Sequence, residues 1–233
     1  MLGRRFLLPL LLAFGAVALP PARAARPMIT DDARLVDAKS CQVESWVRSN
    51  RDNSTEFWAL PSCNFTGNLE LTLGGARTRE AGRTQTTDVQ AQAKTLLRRL
   101  ETNGWGIGLA AGTIGHPDGR SRDFYGYVPA SFSYRDDRIV LHTNVGALRV
   151  GEERRTHLTW GLATEAQLAS NTWLIAEMFR QGEGAPFHQL GLRHWIVPNR
   201  LQVDATYGNR NGSAGEERWV SIGLRVLTPA FLP

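Results

Sequence analysis

The sequence predicts an all-β chain, a closed antiparallel transmembrane β-barrel of about 12 strands. Three observations carry this. The chain divides into segments of about ten residues whose side chains alternate in character at period two, the repeat of a strand rather than a helix. The gaps between segments alternate between short turns and longer polar loops, as they do in barrels that cross an outer membrane. An export signal stands in front of a body in which Lys39 and Lys94 are the only lysines.

The C-terminal end shows the pattern best. In FHQLGLRHWIV, Leu190, Leu192, His194 and Ile196 share one face, and Gln189, Gly191, Arg193 and Trp195 the other. In LQVDATYGNRN, Leu201, Val203, Ala205 and Tyr207 oppose Gln202, Asp204, Thr206 and Gly208. In RWVSIGLRVLT, Val220, Ile222, Leu224 and Val226 oppose Ser221, Gly223 and Arg225. These are strands 10 to 12.

The chain opens with a signal peptide over residues 1–24: Arg4 and Arg5, an apolar run from Phe6 to Leu19, and the small-x-small site Ala22-Arg23-Ala24. Residues 25–34 read as a flexible periplasmic lead, 35–228 as one barrel domain and 229–233 as a C-terminal tail. Strand 1 is expected over 35–48, and strand 2 over 54–63, with Pro61 confining its end to a rim or edge. Strand 3 covers 67–79, where Leu69, Leu71 and Leu73 oppose Glu70 and Thr72. A polar loop follows around Arg77–Gln85. Residues 86–100 fit either a strand, with Gln90, Gln92 and Lys94 on one face, or a helical stripe of good helix formers. The neighbouring strands favour strand 4. Strand 5 (104–114) alternates glycines on its inner face, and strand 6 (123–134) contains Pro129, which removes one ladder hydrogen bond. Strands 7 (138–149), 8 (156–168) and 9 (172–181) complete the set, with Leu158, Leu162 and Leu168 opposite His157, Glu165 and Gln167. Phe187, Trp195, Trp219, Tyr207, Trp105 and Trp173 lie near segment ends, where aromatic girdles meet the lipid interface.

Composition narrows the function. The formal charge of +5 includes Arg4, Arg5 and Arg23 of the signal, and the remaining arginines are spread along the chain, so a nucleic-acid partner is not expected. Cys41 and Cys63 are placed symmetrically about Asp52, so an antiparallel hairpin would set them opposite each other and an exported protein would oxidise them to a disulfide. The histidines do not cluster in sequence, and no metal site, cofactor, phosphate loop or dinucleotide motif is expected.

The inward faces collect charge. Glu70, Lys94, Glu165, Glu177, Arg193, Asp204 and Arg225 form a candidate lumen network, with Glu177–Arg193, Arg193–Asp204 and Asp204–Arg225 as cross-strand pairs that offset each other's desolvation. Such a network either fills a small polar lumen or tunes a narrow pore. His142 and Asn144 on strand 7, with Ser131 or Ser133 on strand 6, raise a further alternative, an outer-membrane lipid hydrolase, although their expected facing is toward the lumen rather than the outer wall.

PFHQLGLRHWIVPNRLQVDATYGNR followed by ERWVSIGLRVLTP resembles the C-terminal strands of bacterial outer-membrane barrels, in particular the family of transporters of the meta-pathway of phenol degradation. The shared features are the aromatic-containing strand, the Pro198-Asn199 turn, and Leu201, Val203 and Asp204 in the next strand. The resemblance implies a porin-like barrel in the outer membrane of a Gram-negative bacterium. Its expected partners are outer-membrane lipid, the barrel assembly machinery, and small hydrophobic or polar solutes as cargo. A structural or surface-interaction barrel without transport is the alternative. An enzymatic role is not the favoured reading.

Overall fold

A computed structural model describes residues 27–117 and 121–233. The expected signal peptide, 1–24, lies outside the described residues, as do residues 25–26. The described chain forms twelve strands: β1 (Ser40–Asn50), β2 (Thr55–Asn64), β3 (Leu69–Glu80), β4 (Arg83–Arg98), β5 (Trp105–His116), β6 (Ser121–Tyr134), β7 (Ile139–Val150), β8 (Arg155–Ala169), β9 (Thr172–Arg180), β10 (Phe187–Val197), β11 (Leu201–Arg210) and β12 (Trp219–Leu227). Each pairs antiparallel with its sequence neighbours, and β1 pairs with β12, so the sheet closes. Closure leaves no unpaired edge for water or lipid to meet.

The alternation read from sequence sets which side chains face outward. Leu158, Leu162, Leu192 and Ile222 are all about half exposed or more, at 61%, 57%, 49% and 66%. Buried polar and charged side chains outnumber buried apolar ones among the described residues. This is the inside-out distribution of a chain whose outer belt meets lipid. No helix among the described residues is long and apolar enough to cross a membrane.

Of residues 86–100, those up to Arg98 are strand, within β4, with Lys94 and Leu96 buried and Leu97 facing out at 65% exposure. The expected polar loop over Arg77–Gln85 does not exist. β3 and β4 run on to a two-residue turn at Ala81-Gly82, whose φ values of 47° and 81° are left-handed. Strands that rise beyond an apolar belt need no outward hydrophobic side chains, so their polarity mimics a loop. Pro61 lies inside β2, within the expected span. Pairing with β3 lapses between Ala59 and Ser62, and pairing of β6 with β5 lapses between Ala130 and Tyr127, around Pro129. Both prolines stay inside their strands because the ladder opens on one side only.

Cys41 and Cys63 stand opposite each other in the β1–β2 register and form the disulfide. The C-terminal tail is tied down: the Phe231 and Leu232 amides donate to the Lys39 carbonyl.

Three of the expected girdle tryptophans face the other way. Trp173, Trp195 and Trp219 are buried at 5%, 4% and 4% exposure and point into the barrel, whereas Trp105 and Tyr207 face outward. Position near a strand end does not decide facing; parity does. Trp195 lies two residues from Arg193, and Trp219 lies six from Arg225, on the same inward row.

Candidate functional site

The bore is not empty. Residues 27–38 run across it as a strap, from the β9–β10 wall to the β1–β3 wall. Residues 27–34, expected as part of a flexible periplasmic lead, are instead held inside the barrel, and strand 1 begins at Ser40 rather than at 35 because residues 35–38 belong to the strap. Thr30, Asp32, Ala33 and Val36 are nearly or fully buried.

The strap is fixed by named wall residues. At its start, Gln189 donates to the Pro27 carbonyl at 2.9 Å, and the Glu177 carboxylate accepts the amides of Ile29 (3.1 Å) and Thr30. In the middle, Ser131 Oγ accepts the Ala33 amide at 2.8 Å. The Asn144 amide brackets Asp31, donating to its carbonyl at 2.9 Å and accepting its N–H at 2.7 Å in the orientation those neighbours require. At the far end, Glu70 accepts the Val36 amide at 2.7 Å and Asn64 donates to the Val36 carbonyl at 2.8 Å. Charge latches the centre: Lys94 Nζ lies 2.7 Å from Asp31 and 3.4 Å from Asp32, and the Tyr127 hydroxyl donates to Asp31 at 2.8 Å. Met28 and Val36 join an apolar cluster with Ala163, Trp173, Ile175, Trp195 and Leu227, so the strap also packs against apolar side chains of β8, β9, β10 and β12.

All seven residues of the expected lumen network are buried. Their pairing differs in part from expectation. Arg193 forks onto the Glu165 carboxylate, with one bond of 2.9 Å. It also stands opposite Asp204 in the β10–β11 register. Arg225 bonds Gln42 and approaches Glu44 at 3.5 Å. Glu177, expected beside Arg193, is engaged by the strap and by Gln189. Lys94 and Glu70 face each other across β3–β4, but the closest acids to Lys94 come from the strap. Nothing in the period-two pattern marks Asp31 and Asp32, because the strap has no regular repeat. Lys94 already has an inward acid, Glu70, opposite it on the wall, so the sequence gives no sign that further acids approach it.

The serine–histidine alternative is tested by geometry. Ser131 Oγ and His142 Nδ1 are 2.8 Å apart, and His142 Nε2 lies 3.4 Å from Glu165. These groups face the lumen, not the outer wall, and all three residues are fully buried. Ser131 is capped by the strap amide, and Asn144 is engaged by Asp31. The cluster therefore acts as a polar brace, Ser131–His142–Glu165–Arg193, across β6, β7, β8 and β10. No outer-wall site for a lipid forms from these residues.

On the side of the strap facing β1–β4 and β12 lies a cavity of about 130 Å³, lined by charged and amide groups including Asp32, Arg34, Glu44, Gln92, Lys94 and Arg225. It is wide enough for several water molecules. Above it, toward the mouth formed by the β1–β2 and β11–β12 loops, inward aromatic and cationic groups stack. Trp46 and Trp58 are 5.2 Å apart, Arg48 sits 4.3 Å above Trp219, and Arg210 sits 4.4 Å above Phe187. No group of histidine, cysteine and acidic side chains among the described residues could hold a metal ion.

A family model described as Uncharacterised conserved protein UCP029691 matches residues 12–228. The chain belongs to this family. No curated protein matches it. Among solved structures, it is similar to the KdgM porin in complex with disordered oligogalacturonate (TM-score 0.59, 9% identity, 80% of this chain and 98% of that one). It is similar to the NanC porin (TM-score 0.58, 11% identity, 80% and 98%). It is also similar to the COG4313 outer membrane channel from Pseudomonas putida F1 (TM-score 0.54, 10% identity, 88% and 100%). Likeness at these identities establishes the shared barrel architecture. The UCP029691 family is the one shown for this chain; the meta-pathway transporter family is not.

Proposed function

We propose that this UCP029691 member is a bacterial outer-membrane channel for small polar solutes, held shut in the present state by its own strap. The single observation behind this reading is how the bore is filled. A barrel interior closed for good is filled by wall side chains, whereas this one is lined with charge and amides and stopped by a separable segment with its own counter-charges. Water can replace every polar contact the strap makes. The outward apolar belt and the solved channels of like architecture support the membrane setting, and with it lipid and the barrel assembly machinery as partners. The transporter role implied by the C-terminal strands fits the same reading.

The test is conductance in planar lipid bilayers, comparing the mature chain with the double variant Asp31→Asn, Asp32→Asn. Breaking a buried ion pair from one side costs about 3–5 kcal/mol, because the remaining charge loses its partner. Lys94 keeps Glu70 opposite it but loses its two nearest charged acids, so the closed population should fall by about a hundredfold. Wild type should conduct rarely and the variant steadily. Silence in both, with the variant still migrating as a folded barrel before heating, would favour the second reading: a closed structural barrel, which the strap's buried apolar end also fits.

A further inference from the structure

The wall treats the strap as a main chain. Glu177 accepts the Ile29 and Thr30 amides, Asn144 takes both backbone groups of Asp31, Ser131 accepts the Ala33 amide and Glu70 that of Val36. Gln189 and Asn64 donate to the carbonyls of Pro27 and Val36. None of these contacts depends on which side chain the strap residue carries. Strap side chains are engaged too: Lys94 and Tyr127 meet Asp31 and Asp32, Gly161 leaves room for Thr30, and Met28 and Val36 pack among Trp173, Ile175, Trp195 and Leu227. Spaced acceptors for N–H groups and donors for carbonyls, reaching successive residues of a non-helical segment, are the chemistry that binds extended peptides with little sequence preference. Two of the acceptors are carboxylates, which take amide hydrogens more strongly than neutral oxygens do.

We propose that the bore is a binding site for extended oligopeptides, and that the strap is its built-in occupant. This names the cargo of the proposed channel and rests on that reading for passage, though not for binding. A saccharide would present hydroxyls, each both donor and acceptor, and would have no use for the separation of acceptors and donors along the wall.

The experiment uses the detergent-purified mature chain carrying Asp31→Asn and Asp32→Asn, which loosens the strap and leaves every main-chain contact of the wall in place. The probe is an octapeptide of alternating alanine and threonine, acetylated and amidated, titrated calorimetrically beside an oligogalacturonate and a malto-oligosaccharide of similar length. The double variant should bind the peptide at least about tenfold more tightly than wild type, where the strap competes, because displacing an occupant reduces apparent affinity in proportion to its population. Adding Glu177→Gln, which keeps the shape and loses the charge, should weaken peptide binding about tenfold and leave saccharide binding unmoved. Ser131→Ala provides a second, milder loss in the same direction. Peptide binding without conductance would sink the channel reading and leave this inference standing. Conductance with no peptide binding, or with a saccharide bound as tightly as the peptide, overturns it.

Discussion

Gly161 on β8 and Thr30 of the strap are in contact because residue 161 has no side chain: a Cβ there would lie 2.2 Å from Thr30 Oγ1 and 3.1 Å from its Cβ. The barrel wall carries a notch for the strap at this point. Gly161→Val should therefore push the strap off its seat at Thr30 without disturbing strand pairing, since valine favours strands. Trypsin should cut after Arg34 in the variant and leave wild type intact, while the unheated barrel keeps its fast gel migration. Equal protection of both would show that the notch does not matter.

Arg193 and Glu165 form a buried pair whose two halves cannot be removed separately at equal effect. Arg193→Met should destabilise the barrel by about 3–5 kcal/mol, because Glu165 keeps its charge in a dry site. Combining it with Glu165→Leu should recover much of that loss, since an apolar pair of similar volume is often tolerated. Urea midpoints for the two single variants and the double variant measure the coupling directly.

The disulfide should contribute to stability and not to closure. Its partners are 22 residues apart in sequence, which by chain entropy corresponds to about 3 kcal/mol. Cys41→Ser with Cys63→Ser should lower the urea midpoint accordingly, with conductance of the strap-loosened protein unchanged. A change in conductance would connect the β1–β2 hairpin to the bore.

Asp52, at the β1–β2 turn, accepts the side-chain hydroxyl and the amide of Ser54, and those bonds lower its pKa below the usual aspartate value. A depressed carboxylate stabilises the folded turn above its unfolded pKa, and that contribution is lost as pH falls through the folded one. Amide exchange at Ser54 should thus stay slow at neutral pH and quicken only below about pH 4. Asp52→Asn should show fast exchange without the acid step; an unchanged step would assign it to another group.

How far these features were legible varies with the physics behind them. Leu158, Leu162 and Glu165 could be placed because a wall between lipid and a polar bore forces strict alternation. Cys41 and Cys63 could be paired because a hairpin register is arithmetic. Arg77 to Gln85 misled because strand backbone above the apolar belt can carry any polar sequence. Trp173, Trp195 and Trp219 misled because their nearness to strand ends was weighed above parity. Within the candidate site, Glu70, Lys94, Glu177 and Arg193 are buried on the rows that period two assigns to the inner face. Their partners Asp31 and Asp32 were missed, since a strap spanning a cavity obeys no repeat that a sequence can display.

The strap also constrains how the molecule is made. It precedes β1, so it is the first of the described segments to be synthesised, yet its seat at Glu177 and Gln189 belongs to β9 and β10. The earliest residues must therefore wait for nearly the whole sheet before they can dock. Contacts of such long sequence separation form late and slowly. A newly inserted barrel of this kind should pass through a stage with an open bore, and its final sealing would mark the end of maturation.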